Sequence, residues 1–432
     1  MRHRLFRALK HRNYRLYFFG QIISLVGTWM QTVALSWLVY RLTGSAMLLG
    51  VVGFINQIPS FLFAPFTGVV ADRFNRRRII LCTQALAMLQ ALILSILVLS
   101  GRIEVWHIIA LSVLLGIVNA FDMPARQSFI IDIVERKEDM ANAIALNSSV
   151  FNSARLIGPS VAGILIAAFG EGLCFFINAL SYLAVIAALL AMKINRKPAA
   201  AFEHKKPGSG FKEGLAYTFR FTPIRYIIML LALGSLLGMP YTVLMPVFVK
   251  DVLKEGPRTL GFLMACSGAG ALCAALRLAW RKHVSGLERE ISFFSALFGL
   301  GLMAFSFSRV SAVSAVCIAA ASFGLISQMA SSNTIIQTVV EDDKRGRVMA
   351  LYSLAFMGMA PFGSLLAGWM AGRIGAPWTI FLSGATVICG AVAFGSKTGE
   401  ISRRVHPVYR NLGLLEREAS ALGEAEGIER TS

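Results

Sequence analysis

The sequence contains few charged residues for its length. Only 15% of its 432 residues are Asp, Glu, Lys or Arg, whereas a soluble domain usually has about 25%. Hydrophobic residues make up 56% of the chain, and apolar runs near the length needed to cross a bilayer, about 20 residues, recur from end to end. The shortage of charge therefore excludes a soluble globular protein.

Features of several enzyme classes are also missing. The phosphate-binding string G-x-x-x-x-G-K-[ST] does not occur, so we expect no ATP hydrolysis by this chain. The six cysteines lie in apolar runs without a C-x-x-C pair, and the six histidines have no metal-ligand spacing. We therefore expect no cofactor, no metal site, no catalytic residues and no enzymatic activity.

Twelve apolar segments predict twelve transmembrane helices, because backbone polar groups in lipid must bond within a helix. They run over about 16–40, 46–70, 79–100, 105–131, 141–169, 172–193, 224–249, 259–281, 289–308, 311–339, 347–372 and 377–396. The fold class is thus an all-α membrane protein with two six-helix bundles. We place the bundles at 1–193 and 224–396, a linker with an interfacial helix at 194–223 and a polar tail at 397–432.

The two bundles resemble each other in sequence. Residues 141–170 align with 346–375 without a gap. The identities include glycines at equal spacing: Gly158 with Gly363, Gly163 with Gly368, and Gly170 with Gly375. Two six-helix halves related by a repeat are typical of a transporter whose binding site lies between the halves.

Basic residues are distributed unevenly between the two sets of loops. Of the 42 Lys and Arg residues, one lies deep in a span (Arg155) and seven lie in one set of loops: Arg41, Arg102, Lys250, Lys254, Arg258, Arg309 and Arg373. The other 34 lie in the termini, the opposite loops and the span ends beside them. Positive charge is retained on the cytoplasmic side of a membrane. We therefore expect both termini in the cytoplasm and no nucleic-acid partner, despite the net charge of +19.

The string from Gly68 to Arg78 lies between spans two and three and reads GVVADRFNRRR. Gly68 and Asp72 are four residues apart, so they share a helix face. A carboxylate there can cap the N-terminus of a neighbouring helix. We expect Asp72 to cap span eleven near Arg347 when this side of the protein is closed.

This string resembles the G-x-L-A-D-R-x-G-R-K signature of the major facilitator superfamily. The resemblance implies a twelve-helix transporter in which Gly68, Asp72, Arg73, Arg76 and Arg77 form a gating motif. Asn75 departs from the signature, which has Gly there, and we expect Asn75 to adopt positive φ.

Span five contains Arg155-Leu-Ile-Gly158-Pro159 followed by Ser-Val-Ala-Gly163. This string resembles the superfamily's antiporter signature, with alanines replacing two of its glycines. Pro159 bends a helix by removing a backbone donor, and small residues permit close helix packing. The resemblance implies export rather than import.

Span four contains Asp122 and Arg126 in the string Asp-Met-Pro-Ala-Arg. Ionisable groups at membrane depth are costly and usually functional. The string resembles the enterobactin-exporter branch of the superfamily, which includes macrolide-efflux proteins. We expect Asp122 to pair with Arg155 of span five and to exchange protons, or else to form a permanent structural pair; snorkelling of Asp122 and Arg126 to the surface is the alternative.

Polar residues in other spans are candidates for lining a substrate cavity. They are Gln21, Thr28 and Gln31 in span one, Asn56 in span two, and Gln328 and Asn333 in span ten. Ordinary hydrogen bonds between helices are the alternative for each of them.

Together these features predict a proton-coupled exporter of a small amphipathic molecule, siderophore-like or drug-like. The expected localisation is the inner membrane, and the expected partners are substrate, protons and lipid, with the protein itself a monomer. An importer of a small metabolite with the same fold and a non-transporting membrane sensor are the alternatives.

The uneven charge distribution predicts the topology of the chain. Reporter fusions after Lys197 and Lys397 should be active in the cytoplasm, and a fusion after Lys254 should be active in the periplasm. Paired alkaline phosphatase and green fluorescent protein fusions measure this directly. A periplasmic signal after Lys197 or Lys397 would contradict the predicted orientation.

Overall fold

A computed structural model describes residues 6–193, 209–281 and 286–413 of the chain. Within these ranges the secondary structure is helical, and twelve helices are long and apolar enough to cross a membrane. The predicted fold class and number of spans are therefore confirmed. The twelve spans are called α1–α12 in chain order.

The bounds of the spans extend a few residues beyond the apolar runs, because helical hydrogen bonding continues into flanking polar residues. In the N-terminal half the spans are α1 Arg12–Thr43, α2 Ala46–Arg73, α3 Arg76–Leu99, α4 Val105–Ile133, α5 Met140–Phe169 and α6 Glu171–Ala191. In the C-terminal half they are α7 Thr222–Val252, α8 Pro257–Trp280, α9 Leu287–Phe307, α10 Ser311–Val339, α11 Asp342–Ile374 and α12 Ala376–Gly395.

Two spans of the C-terminal half are irregular. In α7, π-helical turns at Gly234–Gly238 and Phe248–Val252 flank a short α-helix over Tyr241–Val247. Pro240 and Pro246 supply no backbone N–H to this region, which explains the altered hydrogen bonding. α11 is interrupted between Met357 and Ala360.

Two further α-helices lie outside the spans among the described residues. One spans Ser209–Arg220, where the sequence predicts an interfacial helix, and its position in the interface stays a prediction. The other, called the C-terminal helix, spans Thr398–Asn411 within the segment expected to be a polar tail. Its side chains Ile401, Val405 and Tyr409 are fully buried. Their spacing of four residues was the signal for an amphipathic helix.

The start of α1 and the end of α12 lie on one face of the twelve-helix bundle, because the number of spans is even. This face is called the terminal face, and the opposite one the distal face. The halves meet near the distal face through glycines. A Cβ atom added to Gly163 of α5 would lie 3.0 Å from the Cα of Gly261 in α8. One added to Gly50 of α2 would lie 2.9 Å from the Cα of Gly368 in α11.

These contacts obey the internal repeat. Gly163 and Gly368 occupy matching positions, and each touches a glycine of the other half. Gly158 and Gly363 also match, and each packs inside its own half, against α1 and α7 respectively. The repeat thus specifies where helices approach one another as well as how many there are.

The same helices separate toward the terminal face. α2 and α11 remain in contact as far as Phe61 of α2, because a Cβ added to Gly358 of α11 would lie 2.9 Å from the Phe61 ring. Nearer the terminal face, a Cβ added to Gly68 of α2 would meet no atom within 4 Å. Along one face of α5, Ala162 and Ile166 in the distal part are 0% and 6% exposed, respectively. Ile144 and Phe151, nearer the terminal face, are 53% and 42% exposed. A cleft between the halves therefore opens to the terminal face and is closed at the distal face.

The glycine contacts predict a variant that weakens the distal closure. In Gly163→Leu the new side chain would meet the backbone of Pro257 and Gly261, so α5 and α8 must separate. We expect a cysteine introduced at Ser364, which is buried at the neighbouring α2–α11 contact, to react faster with an impermeant maleimide added from the distal side.

A matched control is Gly372→Leu in α11, because a Cβ there meets nothing within 4 Å. Labelling should be unchanged in this control. Equal labelling of Ser364→Cys with and without Gly163→Leu would show that the close contact does not hold the halves together.

Candidate functional site

A polar cluster surrounds Asp122 inside the N-terminal bundle. Asp122 is 7% exposed and lies about 16 Å from the terminal end of α4, at 1.5 Å per residue. Its Oδ1 accepts hydrogen bonds from Thr83 Oγ1 at 2.6 Å and Gln84 Nε2 at 3.0 Å. Its Oδ2 forms an ion pair with Arg126 Nε one turn along the same helix. Arg126 also donates a hydrogen bond to Gln21 Oε1 of α1.

The cluster therefore joins α1, α3 and α4, and every group facing the carboxylate is a donor. Three donors therefore converge on one carboxylate. Neither Asp122 nor Arg126 extends to the membrane surface, so the snorkelling alternative is wrong for this conformation. Thr83, Gln84 and Arg126 hold this carboxylate in apolar surroundings, where the gain of one proton would change the local balance of charge.

The expected pairing of Asp122 with Arg155 is wrong in this conformation. The carboxylate is occupied by Arg126, and the guanidinium of Arg155 instead lies 5.8 Å from the centre of the Trp29 ring in α1. The physical reason is proximity: an arginine four residues along the same helix already faces Asp122. Sequence spacing within α4 was the signal for this pair.

Arg155 and its aromatic neighbours form a second arrangement in the N-terminal half. Phe151, one turn before Arg155, packs edge-on against Trp29 at 5.7 Å between ring centres. Trp29 is held close to α5 because Gly158 has no side chain: a Cβ there would lie 2.6 Å from that of Trp29. Pro159 is buried beside it, and its carbonyl faces Gly261 of α8.

The gating string begins at the terminal end of α2, and the side chain of Asp72 lies outside the described part of the structure. Asn75 has φ −70° and caps α3, where its side chain accepts from the backbone amides of Arg77 at 3.1 Å and Arg78 at 3.4 Å. The expected positive φ was therefore wrong. Asn favours this capping position because its short side chain reaches the free amides of the first turn.

The arginines of the gating string contact their own half. Arg76 donates to Asp132 Oδ1 at 2.9 Å, and Arg77 donates to the carbonyl of Leu190 at 3.1 Å. Arg73 is exposed. Arg76 and Arg77 thus tie the start of α3 to the ends of α4 and α6.

Span one contributes its amides to the bundle interior. Gln31 donates to Gln90 Oε1 at 3.0 Å and accepts from Asn178 Nδ2 at 2.6 Å, which links α1, α3 and α6. Gln21 and Gln31 are both buried, so neither lines the open cleft in this conformation. Thr28, between them, donates to the carbonyl of Ser24 at 2.9 Å.

The remaining cavity candidates lie apart from these networks. Asn56 of α2 is half-buried, and its carbonyl faces Gly116 of α4. In α10, Gln328 is buried and its Nε2 has no hydrogen-bond partner among the described residues. Asn333 is half-buried and accepts from Gln337 at 2.9 Å.

Comparison with known proteins agrees with this architecture. Residues 5–400 match the family described as transmembrane secretion effector. The chain belongs to the major facilitator superfamily. It is a multi-pass membrane transporter and not an enzyme, and its resemblance to the macrolide-efflux and siderophore-exporter branch is confirmed.

Curated relatives cover most of the transporter. The staphyloferrin A transporter of Staphylococcus aureus is 28% identical and the alignment covers 88% of this chain and 95% of the relative. Multidrug efflux pump Tap of Mycolicibacterium fortuitum is 25% identical, with 88% and 94% covered. Macrolide efflux protein A of Streptococcus pyogenes is 22% identical, with 89% and 96% covered.

A solved structure shares the fold of this transporter. A bacterial homologue of the human lysosomal transporter Spinster, in an inward-facing and occupied conformation, superposes with a TM-score of 0.71. Its sequence identity is 13%, and the match covers 92% of this chain and 98% of the homologue.

Two charged groups of this transporter were missed at the sequence level. Near the distal face, Tyr40 of α1 donates to Asp251 of α7, and Lys250 Nζ lies 5.3 Å from the centre of the Tyr40 ring. This contact joins the two halves where the cleft is closed. Because the partners are 211 residues apart in the chain, no local pattern could have indicated it.

The second group lies at the terminal ends of α8 and α9. Glu290 forms ion pairs with Arg277 and Arg281 and accepts from Ser331 Oγ at 3.4 Å. Arg277 and Arg281 are four residues apart and therefore share a helix face, which was the available signal.

The buried amide network predicts a measurable contribution to stability. Gln31→Met removes both hydrogen bonds and leaves Gln90 and Asn178 partly unsatisfied in an apolar interior. We expect the free energy of unfolding to fall by about 1–2 kcal/mol, seen as a lower melting temperature of the detergent-solubilised protein. Gln337→Met is the control, because Gln337 is exposed; equal melting temperatures for the two variants would contradict the role of the network.

Proposed function

We propose that this transporter exports small amphipathic molecules across the inner membrane by alternating access, in exchange for protons. The observation that carries the proposal is the cleft between the halves, open to the terminal face and closed at the distal face by glycine contacts. A cleft closed at one end only is the geometry that alternating access requires.

The orientation of the cleft follows from the basic residues. The terminal face bears the densest positive charge, including Arg76, Arg77 and Arg78, which supports a cytoplasmic position for this face and for both chain ends. The cleft is then open to the cytoplasm, where an exporter takes up its substrate.

The direction of transport is supported by the relatives. Two of them are named for efflux, of multiple drugs and of macrolides, and a third for transport of staphyloferrin A. An importer passes through the same cytoplasm-open state, so geometry by itself supports either direction. The names of the relatives favour export of a siderophore-like or drug-like molecule.

Proton coupling is assigned in this proposal to the pair Asp122 and Arg126. When Asp122 is ionised, its charge balances that of Arg126 in an apolar environment. When Asp122 binds a proton, Arg126 loses its counter-charge, and a buried unpaired charge is costly. Arg126 must then move or find another anion, which shifts α4 relative to α1 and α3. Protonation thereby changes the relative stability of the two states of the transporter.

Transport in everted membrane vesicles tests both direction and coupling. Vesicles with an acidic interior should accumulate staphyloferrin A or another amphipathic anion when they contain the wild-type protein, and a protonophore should abolish accumulation. Asp122→Asn removes the titrating group, so its proton-driven accumulation should fall to the level of vesicles lacking the protein.

The control variant is Glu135→Gln, because Glu135 follows α4 in the sequence and its side chain is 75% exposed. Its transport should equal that of the wild type. Full proton-driven accumulation by Asp122→Asn would exclude the coupling role, and accumulation of these probes by right-side-out vesicles only would exclude export.

A further inference from the structure

Arg155 lies deep within the cleft. It is 15 residues into α5 from the terminal face, a depth of about 22 Å at 1.5 Å per residue. Successive turns place Ile144, Phe151 and Arg155 on one face of α5, since they are separated by seven and four residues. That face is exposed toward the terminal side and buried toward the distal side. Arg155 therefore lies near the level at which the cleft closes.

Within the described parts of the chain, the guanidinium of Arg155 has no acidic partner at this depth. No carboxylate among the described side chains lies within ion-pair distance of it, and its recorded partner is the ring of Trp29. In contrast, Asp122 balances Arg126, and Glu290 balances Arg277 and Arg281. A cation within a span normally pairs with an acid or lies on a substrate pathway.

The aromatic rings beside Arg155 determine what kind of anion would fit. Trp29 presents its face to the guanidinium, and Phe151 packs edge-on against Trp29. A guanidinium stacked on a ring keeps its N–H donors free at the edge, where they can bind a carboxylate or sulfonate. The rings provide an apolar surface for the rest of the molecule.

We propose that Arg155, Trp29 and Phe151 form the binding site for the transported molecule, and that this molecule is an anion with an aromatic or apolar body next to its acidic group. The proposal rests on the proposed transport function and specifies the charge of its substrate. Binding of the anion supplies the counter-charge that Arg155 lacks, next to the contact of α5 with Gly261 and Gly268 of α8.

A second arginine shows the same stacking outside the cleft and provides a control. Arg373, at the distal end of α11, lies 5.9 Å from the centre of the Trp369 ring. It is exposed at the membrane surface, so water solvates its charge. If stacking on tryptophan were the only role of Arg155, substitution of Arg155 and of Arg373 would have the same effect on dye binding.

Two dyes with one ring skeleton test the charge of the substrate. 8-Anilinonaphthalene-1-sulfonate is an anion, and N-phenyl-1-naphthylamine lacks the sulfonate and is neutral. Binding of each dye to the full-length protein in zwitterionic nanodiscs is measured by equilibrium dialysis, with empty nanodiscs subtracted. We expect Arg155→Gln to raise the Kd of the anionic dye by about tenfold or more, because a charge-assisted contact is lost.

The neutral dye should bind Arg155→Gln and the wild type within about twofold, since the loss of one charge-assisted contact affects only the anion. Arg155→Lys keeps the charge but loses the stacked planar donors, so its Kd for the anion should lie between those of the wild type and Arg155→Gln. Arg373→Gln should leave the binding of both dyes unchanged. Equal losses for the two dyes, an unchanged Kd for the anion, or no binding of the anion by the wild type would each overturn the anion site.

Transport of the same dyes separates this inference from the proposed export. Arg155-dependent binding without accumulation of either dye in everted vesicles would support the anion site and contradict export. Accumulation of the neutral dye without Arg155-dependent binding of the anion would support export and overturn the anion site.

Discussion

Close contact between glycines of the two halves is the constraint on which this structure depends. Gly163 meets Gly261, and Gly50 meets Gly368, at distances that leave no room for a side chain. In lipid, apolar surfaces gain little by leaving the solvent, so helices associate through close packing and polar contacts instead. The glycines are concentrated near the distal face, and their close contacts close that end. Bulkier residues such as Phe66, which is exposed, lie toward the terminal face, where the helices separate. The cleft and its direction both follow from where the glycines lie.

Polar groups within the spans serve two different purposes. Most of them hold a bundle together: Gln31 links three helices, and Asp122 balances Arg126 across the same interior. Because these groups are buried inside one half, they do not contact a substrate in the cleft. In the proposed coupling, a proton bound by Asp122 alters the charge balance of that half. Arg155 differs because its guanidinium lies over the ring of Trp29 and has no carboxylate partner among the described residues.

The internal repeat links these observations. Matching glycines of α5 and α11 make equivalent contacts with the other half, but the charged residues of α4 are not repeated in α10. Applying the spacing of the repeat, 205 residues, to Asp122 and Arg126 leads to Ser327 and Ser331 of α10. The packing framework is therefore symmetric, and the charged chemistry is confined to the N-terminal half at this level. Symmetric packing permits two related states of the transporter, and in the proposed coupling the charged pair lets one half respond to protons.

The sequence by itself determined the class of the protein, its twelve spans and the glycine repeat, because the lipid environment imposes a helix on each apolar run of sufficient length. It also indicated Asp122, Arg126 and Arg155 as unusual, since charge at membrane depth is rare. Only the tertiary structure decided which groups are partners: Asp122 pairs with Arg126 instead of Arg155, Gln21 and Gln31 face a bundle interior, and Asn75 caps a helix. The Tyr40–Asp251 contact likewise became apparent only from packing. Partner choice depends on helix rotation and tilt, which arise from contacts between residues hundreds of positions apart and leave no local pattern in the chain.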